Sequence, residues 1–261
     1  MTVFERAGVT VWREKARLGL YTLDLYAFFA DGLLIDAGSW SQRRSFRRFC
    51  EALPVEACVL SHLHEDHCGN AAWLDGRGVT VHCPAACVAQ AAVEPRLPLY
   101  RKLIWGRRPA FRAAPLPASV RTPAHEFLVV PAPGHTADEV LFLEERKGWL
   151  FTGDFYLTWR PKVIFQDEDL ARTMASIRAV LALPFDLLFD AHAGPLEGGK
   201  ELLQKKLDYL AALRGQVEGL RAKGMDDRAI DRALFPKKPL LTYVSRGEWS
   251  SLNMVRTLKG K

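Results

Sequence analysis

Apolar residues over the first sixty positions gather in short runs rich in β-branched and aromatic side chains. GVTVWRE at 8–14 and LGLYTLDLYAFFA at 18–30 predict strands, and Asp31-Gly32 supplies a hairpin signal before LLIDAG at 33–38. RRSFRRFCEAL at 43–53 predicts an amphipathic helix, with Phe46, Phe49, Cys50 and Leu53 on one side and arginines on the other. ACVLSH (57–62) and GVTVHC (78–83) predict short strands. The texture changes over 95–117, where prolines alternate with six basic residues and with Tyr100, Trp105 and Phe111. This stretch predicts an irregular excursion over the fold rather than a core element. Strand patterns return at 126–132 (EFLVVPA), 138–145 (DEVLFLEE) and 148–154 (GWLFTGD), followed by a helix over 168–182 and a last strand at 185–192 (FDLLFDAH). Strands interleaved with helices predict an α/β layered domain.

Beyond Pro195 the pattern is helical. Residues 198–224 have apolar spacing near 3.6 with Gly224 as a stop, and 226–235 predict a short second helix. Ser245 and Glu248 form a capping box for a third helix running to about Leu258. These signals divide the chain near 196, into an α/β domain (1–196) and a C-terminal helical subdomain (197–261).

With 49% hydrophobic and 25% charged residues, the chain has material for a core and is not disordered in bulk. No apolar run approaches the roughly 20 residues of a membrane helix, and the N-terminal stretch has no signal-peptide pattern. Five cysteines, an odd count, argue against a disulfide framework and for a reducing, cytoplasmic setting. Cys83 and Cys87 lack the second pair that would complete a zinc knuckle. Residues 200–261 hold 14 Lys/Arg against 7 Asp/Glu, or +7, so the other 199 residues sum to −1 within the total of +6. A basic tail can serve an acidic partner such as nucleic acid, or form a solvated helix face.

His62-Leu63-His64-Glu65-Asp66-His67 carries the chemistry. Four ligand-type side chains lie within six residues, directly after an apolar strand, where a strand-to-loop turn can aim several of them at one centre. His135, Asp154 and His192 also follow strand patterns, beside Gly134, Gly153 and Gly194. The set of seven predicts a metal site. Imidazole and carboxylate ligands without cysteine suit zinc, and also iron or manganese. Such ions lower the pKa of water from near 16 to about 7, which supplies a nucleophile at neutral pH. Asp66 is the candidate to orient that water or accept its proton. His82 reads as structural and His125 as a surface residue.

In order, LLIDAG, SHLHEDHCGN, PAPGHT, FTGD and DAHAGP span 33–195 and resemble the metallo-β-lactamase superfamily, with the HxHxDH motif as the most specific piece. The resemblance implies an αββα sandwich with metals in a cleft at one edge of two sheets. It further implies that His62, His64 and His135 hold one metal, that Asp66, His67 and His192 hold the second, and that Asp154 bridges them. Asp36 would orient a ligand from behind. The helical tail is similar to that of glyoxalase II-like members, although the full glutathione-binding pattern of that enzyme is absent.

The expected reaction is hydrolysis of a small-molecule ester, thioester, lactone or amide. Two alternatives use the same scaffold. One is a phosphodiesterase or ribonuclease of the tRNA-3′-processing type, drawing on the basic tail. The other is a mononuclear iron persulfide dioxygenase. Flavodiiron reductases resemble HxExDH and are excluded by His64. Specificity is expected in the 95–117 excursion and in the loop with Tyr156, Trp159 and Arg160, where Tyr156 would face the cleft and donate to a developing oxyanion. Oligomeric state is left open by the sequence.

Overall fold

The computed structural model describes residues 1–18 and 21–258. Gly19 and Leu20, inside the strand expected at 18–30, lie outside the described residues, as do Lys259 and Lys261 of the basic tail. The first sheet has seven strands: β1 (Thr2–Arg6), β2 (Val9–Leu18), β3 (Tyr21–Ala30), β4 (Leu33–Ile35), β5 (Ala57–Val59), β6 (Thr80–Cys83) and β7 (Ala114–Pro115). Neighbours pair antiparallel from β1 to β4 and parallel from β4 to β7. The second sheet takes β8 (Ser119–Arg121), β9 (Glu126–Pro131), β10 (Val140–Glu144) and β11 (Trp149–Gly153). After β12 (Ile164–Phe165), which leaves the sheet, β13 (Leu187–Asp190) and β14 (Gly194–Leu196) complete it in the order β14-β13-β11-β10-β9-β8. Near the C-terminus β15 (Trp249–Ser250) pairs antiparallel with β12.

Alternation along the strands builds the layers. Val9 and Val11 of β2, Phe28 and Ala30 of β3, and Val140 and Phe142 of β10 face the other sheet. Their alternates, Trp12 and Ala16, Ala27 and Phe29, Leu141 and Leu143, face outward toward helices. Between the sheets Phe28 meets Phe151 and Phe189 edge-on at 5.5 and 5.4 Å, and Phe151 stacks on Phe189 at 4.6 Å. Helices α1 (Arg43–Glu51), α2 (Glu65–Cys68), α3 (Ala71–Gly76), α4 (Val88–Ala91) and α5 (Leu99–Ile104) cover the first sheet. Helices α6 (Leu170–Val180), α7 (Gly199–Ala222) and α8 (Asp227–Leu234) cover the second. Of the last two, α9 (Leu240–Val244) sends Leu241 to the first layer, and α10 (Ser251–Thr257) sends Met254 and Val255 to the second. The result is the αββα arrangement. Among the described residues no helix is long and apolar enough to cross a membrane.

Two expectations are corrected. The 95–117 stretch is not peripheral: Tyr100, Ile104, Trp105 and Phe111 are buried in the first-layer core. Tyr100 and Ile104 stand four apart, so the short α5 presents both to the sheet, and the proline-rich flanks hid that spacing. Ser245 does not cap the last helix. Arg246 and Gly247 both adopt positive φ (54° and 91°), which breaks the chain after α9. The cap falls to Ser250, whose side chain accepts from the Leu252 N–H.

Gly69, at the end of α2, is packed against backbone. A Cβ there would lie 2.7 Å from the Ser39 carbonyl carbon and 2.8 Å from the Glu65 oxygen, besides touching the Trp40 nitrogen. Gly69→Ala is therefore expected to destabilise by about 1–3 kcal/mol. Gly215→Ala, where nothing lies within 4 Å in the middle of α7, should raise stability by up to about 1 kcal/mol. Thermal unfolding of the two variants checks the pair, and equal midpoints would contradict this packing.

Candidate metal centre

The site is assembled from strand ends of both sheets. After β5 the chain bends at Ser61 and is extended at His64 (φ −67°, ψ 153°), the residue preceding α2. The switch from extended to helical backbone between His64 and Glu65 lets His62 and His64 face the cleft while the first helical turn returns Asp66 and His67 to the same place. His135 comes from the connection between β9 and β10, Asp154 follows β11 directly, and His192 follows β13. Asp190 fastens those last two ends together: one carboxylate oxygen accepts from the N–H groups of His192 and Ala193 (3.0 and 2.8 Å). The other accepts from Thr152 Oγ1 and the Leu157 N–H (both 2.9 Å).

Donor atoms of His62, His64, His135 and Asp154 lie within 4.8 Å of one another, and those of Asp66, His67 and His192 form a second grouping by the same measure. Asp154 links the two, since its Oδ2 is 3.2 Å from His135 Nε2 and its Oδ1 is 3.0 Å from both His67 Nε2 and His192 Nε2. Three of the five imidazoles are held from behind by hydrogen bonds through Nδ1, leaving Nε2 to face inward. His62 Nδ1 meets Ser61 Oγ at 3.0 Å, His67 Nδ1 meets Asp36 Oδ2 at 2.8 Å, and His192 Nδ1 donates to the Asp24 carbonyl at 2.8 Å. His135 also turns Nε2 inward, and its Nδ1 lies 3.4 Å from Glu168 Oε2 without making a hydrogen bond among the described residues. His64 is reversed and puts Nδ1 inward, 2.9 Å from His135 Nε2.

The inner atoms fit a cation. Among the described residues His62 Nε2, His67 Nε2 and Asp154 Oδ1 are buried and make no hydrogen bond, although Asp154 Oδ1 stands 3.0 Å from His67 Nε2. Orphaned polar atoms at this depth are rare and costly, and here they converge with carboxylates. A divalent ion accepts lone pairs from all of them, and a nitrogen-rich, sulfur-free donor set suits zinc.

Burial is the largest influence on every one of these groups. For His62 and His64 it wins: low polarity, reinforced by neighbouring imidazoles, holds both well below the usual histidine range, in the neutral form a metal requires. For His135 burial is outweighed by Glu168 and Asp154, which hold it up to about 9. Asp154 resists the same penalty because His192, His67 and His135 keep it ionised. Burial pushes Glu139 up to about 8, and its Oε1 accepts the Asp154 N–H at 3.1 Å.

All seven sequence-predicted site residues therefore meet at one place. His62, His67, His135, Asp154 and His192 are buried, and His64 and Asp66 are partly open toward a cavity of about 110 Å³. Asp36 also lies where expected. It adopts φ +60° and, besides holding His67, accepts from the Ser61 N–H at 2.9 Å. His82 stands on β6 against the Pro115 carbonyl and joins neither grouping. His125 is not a surface residue: its side chain is 12% exposed, 3.3 Å from Glu144 and packed on the Trp149 ring, because the Thr122–His125 turn folds it back over β11. Tyr156 is buried among the second-layer apolar residues and lines a neighbouring cavity of about 350 Å³ with His135, Glu168 and Lys206. Trp159 turns toward Tyr209 of α7.

Sequence reasoning missed Ser61, Glu139, Glu168 and Asp190. Ser61 alone had a local signal, since it directly precedes the histidine motif. The five cysteines are buried and unpaired, and Cys87 donates to Asp138 rather than to a metal partner.

Comparison with known proteins agrees with this geometry. The profile of the metallo-beta-lactamase superfamily matches residues 30–192, more than half of the chain. Among solved structures, a beta-lactamase domain protein from Burkholderia ambifaria is 21% identical, with a TM-score of 0.71 over 98% of this chain and 87% of that one. A metallo-beta-lactamase family protein from Thermus thermophilus is 18% identical, with a TM-score of 0.71 over 96% of this chain and 91% of that one. The metallo-beta-lactamase FIM-1 from Pseudomonas aeruginosa, in its mono-zinc form, is 20% identical, with a TM-score of 0.57 over 80% of this chain and 93% of that one. A motif-bearing strand end, two donor groupings joined by an aspartate, and a family match over residues 30–192 lead to one statement: this chain belongs to the metallo-beta-lactamase superfamily, a family of hydrolases.

Proposed function

We propose that the protein uses two divalent metal ions, zinc by preference, to hydrolyse a small ester, thioester, lactone or amide. In this reading His62, His64 and His135 hold one ion, Asp66, His67 and His192 hold the other, and Asp154 is shared. The observation that carries it is the convergence of seven ligand-type side chains on one place, where the buried His62 Nε2 and His67 Nε2 make no hydrogen bond among the described residues while their Nδ1 atoms are held from behind. The mono-zinc form of FIM-1 supports the choice of zinc. When bound, such ions supply Lewis acidity and a lowered pKa for water. The chain's own residues do the rest. Asp66, whose side chain is 8% exposed, faces the cleft to orient water and take its proton. Asp36 and Ser61 hold His67 and His62 from behind, Glu168 lies beside His135, and Glu139 and Asp190 fix the backbone beside Asp154 and His192.

We treat 197–261 as a helical subdomain that walls the cleft, in keeping with a glyoxalase II-like branch of the family, and we place the protein in the cytoplasm on the strength of its free cysteines. The basic tail is the feature that speaks for the phosphodiesterase alternative, but not all of it is free: Lys206 is buried, and Lys238, Arg221 and Arg214 are engaged with Asp231, Asp227 and Glu218. A second donor grouping supports a dinuclear site over the mononuclear iron alternative.

The test is a panel of ester, thioester, lactone, amide and phosphodiester substrates offered to zinc-loaded protein. Turnover of a carboxylic derivative, lost on dialysis against chelator and restored by zinc, is expected. Cleavage of the phosphodiester alone, or activity that survives chelation, would contradict the proposal. Asp36→Asn isolates the support of His67. Asparagine tolerates positive φ, so the backbone stays, but its amide cannot serve both the Ser61 donors and the His67 Nδ1–H. Chelator competition should show affinity for one of the two zinc ions weakened about 10–100-fold, with the fold intact. Unchanged affinity at both sites would remove Asp36 from this role.

A further inference from the structure

The cavity beside the donor groupings is an apolar slot with one fixed positive charge. His64, Asp66, Asp154 and His192 line one side of it. Leu23, Ile104, Trp105, Leu157, Leu241 and Trp249 supply the apolar walls. Arg101 of α5 is the only Lys or Arg among its lining residues. The guanidinium is held in place. Its Nε and Nη2 both donate to the same oxygen, Glu65 Oε2, at 3.0 and 2.7 Å, and the Phe165 ring lies beneath it at 5.0 Å. The Arg101 side chain is 14% exposed and that of Glu65 is 4%.

Two features point beyond a structural ion pair. Only one edge of the guanidinium is used: Nη1 makes no hydrogen bond among the described residues. A buried ion pair is also a poor device for stability, because desolvation offsets most of its attraction, and apolar residues would fill this site as well. A rigid guanidinium with free N–H groups in a low-polarity slot is suited to a planar anion, where charge-assisted hydrogen bonds are strong and directional.

We propose that Arg101 anchors a carboxylate carried by the substrate, so that the bond hydrolysed at the metal centre belongs to a derivative of a small acid with a second, free carboxylate. The inference rests on the hydrolase reading above and narrows it: the scissile group sits at the metals, the apolar spacer lies along Ile104 and Trp105, and the free carboxylate reaches Arg101.

Trp105 and Trp249 line the slot and report on binding by fluorescence. Zinc-loaded protein is titrated with glutarate and with butyrate, which share one carboxylate and a short apolar spacer; only glutarate has the second carboxylate. Glutarate is expected to bind about tenfold or more tightly than butyrate, and Arg101→Met should bring the ratio close to one. Glu65→Gln, which removes the competing charge, should tighten glutarate binding several-fold, a gain that misfolding cannot produce. Equal affinities in the wild type, an undiminished ratio in Arg101→Met, or unchanged glutarate binding in Glu65→Gln would overturn the proposal. In parallel, 4-nitrophenyl hydrogen glutarate and 4-nitrophenyl valerate are compared as substrates. Preference for the half-ester, expressed in KM and abolished in Arg101→Met, supports it, and preference for the valerate overturns it. Tight glutarate binding with neither ester hydrolysed would count against the hydrolase reading while the anchor stands.

Discussion

Burying an imidazole deprives two ring nitrogens of water, and both must then find a partner or impose a cost of a few kcal/mol each. Five imidazoles are gathered here, and the chain partners the outward nitrogens of three: Ser61 for His62, Asp36 for His67 and the Asp24 carbonyl for His192. That leaves the inward atoms. Carboxylates approach some of them, with Asp154 near three rings, but among the described residues His62 Nε2 and His67 Nε2 make no hydrogen bond. The arrangement makes physical sense when cations complete it, and the architecture follows from the need to bring these groups together. Two sheets packed face to face present their strand ends along one edge, so that residues far apart in sequence, such as His62 and His192, meet there.

The helical C-terminal segment is part of the same construction. Lys206 of α7 is buried and donates to the carbonyls of Phe155 and Tyr156 at 2.6 and 2.9 Å, which ties the turn after Asp154 to the long helix. Further on, β15 pairs with β12, and Leu241 and Trp249 line the cleft together with Ile104. Tyr100 adds a hydrogen bond to Glu248 across this junction. Removing the segment would therefore open the site as well as expose the second-layer core.

The centre was legible in the sequence because its densest part is local. Six consecutive residues carry four donors, and the remaining three each follow a strand pattern. The outer support was not legible, for a physical reason: Glu139, Glu168 and Asp190 are single carboxylates on ordinary-looking elements, and their roles depend on which loops the sheets bring together. Arg101 was read as one of several excursion cations, and nothing local sets it apart from Lys102 or Arg107. Misread elements share a cause as well. The spacing of Tyr100 and Ile104 was masked by prolines, and the apparent cap at Ser245 was undone by positive φ at Arg246 and Gly247.

The central claim is that the two donor groupings are a pair of metal sites sharing Asp154. The most direct test is the metal content of protein purified without added metal, read by elemental mass spectrometry beside an Asp154→Ala variant of verified fold. Near two zinc per chain in the wild type, with loss from both sites in the variant, is the predicted result. One iron per chain, or no metal even after reconstitution with zinc, iron or manganese, would contradict the account.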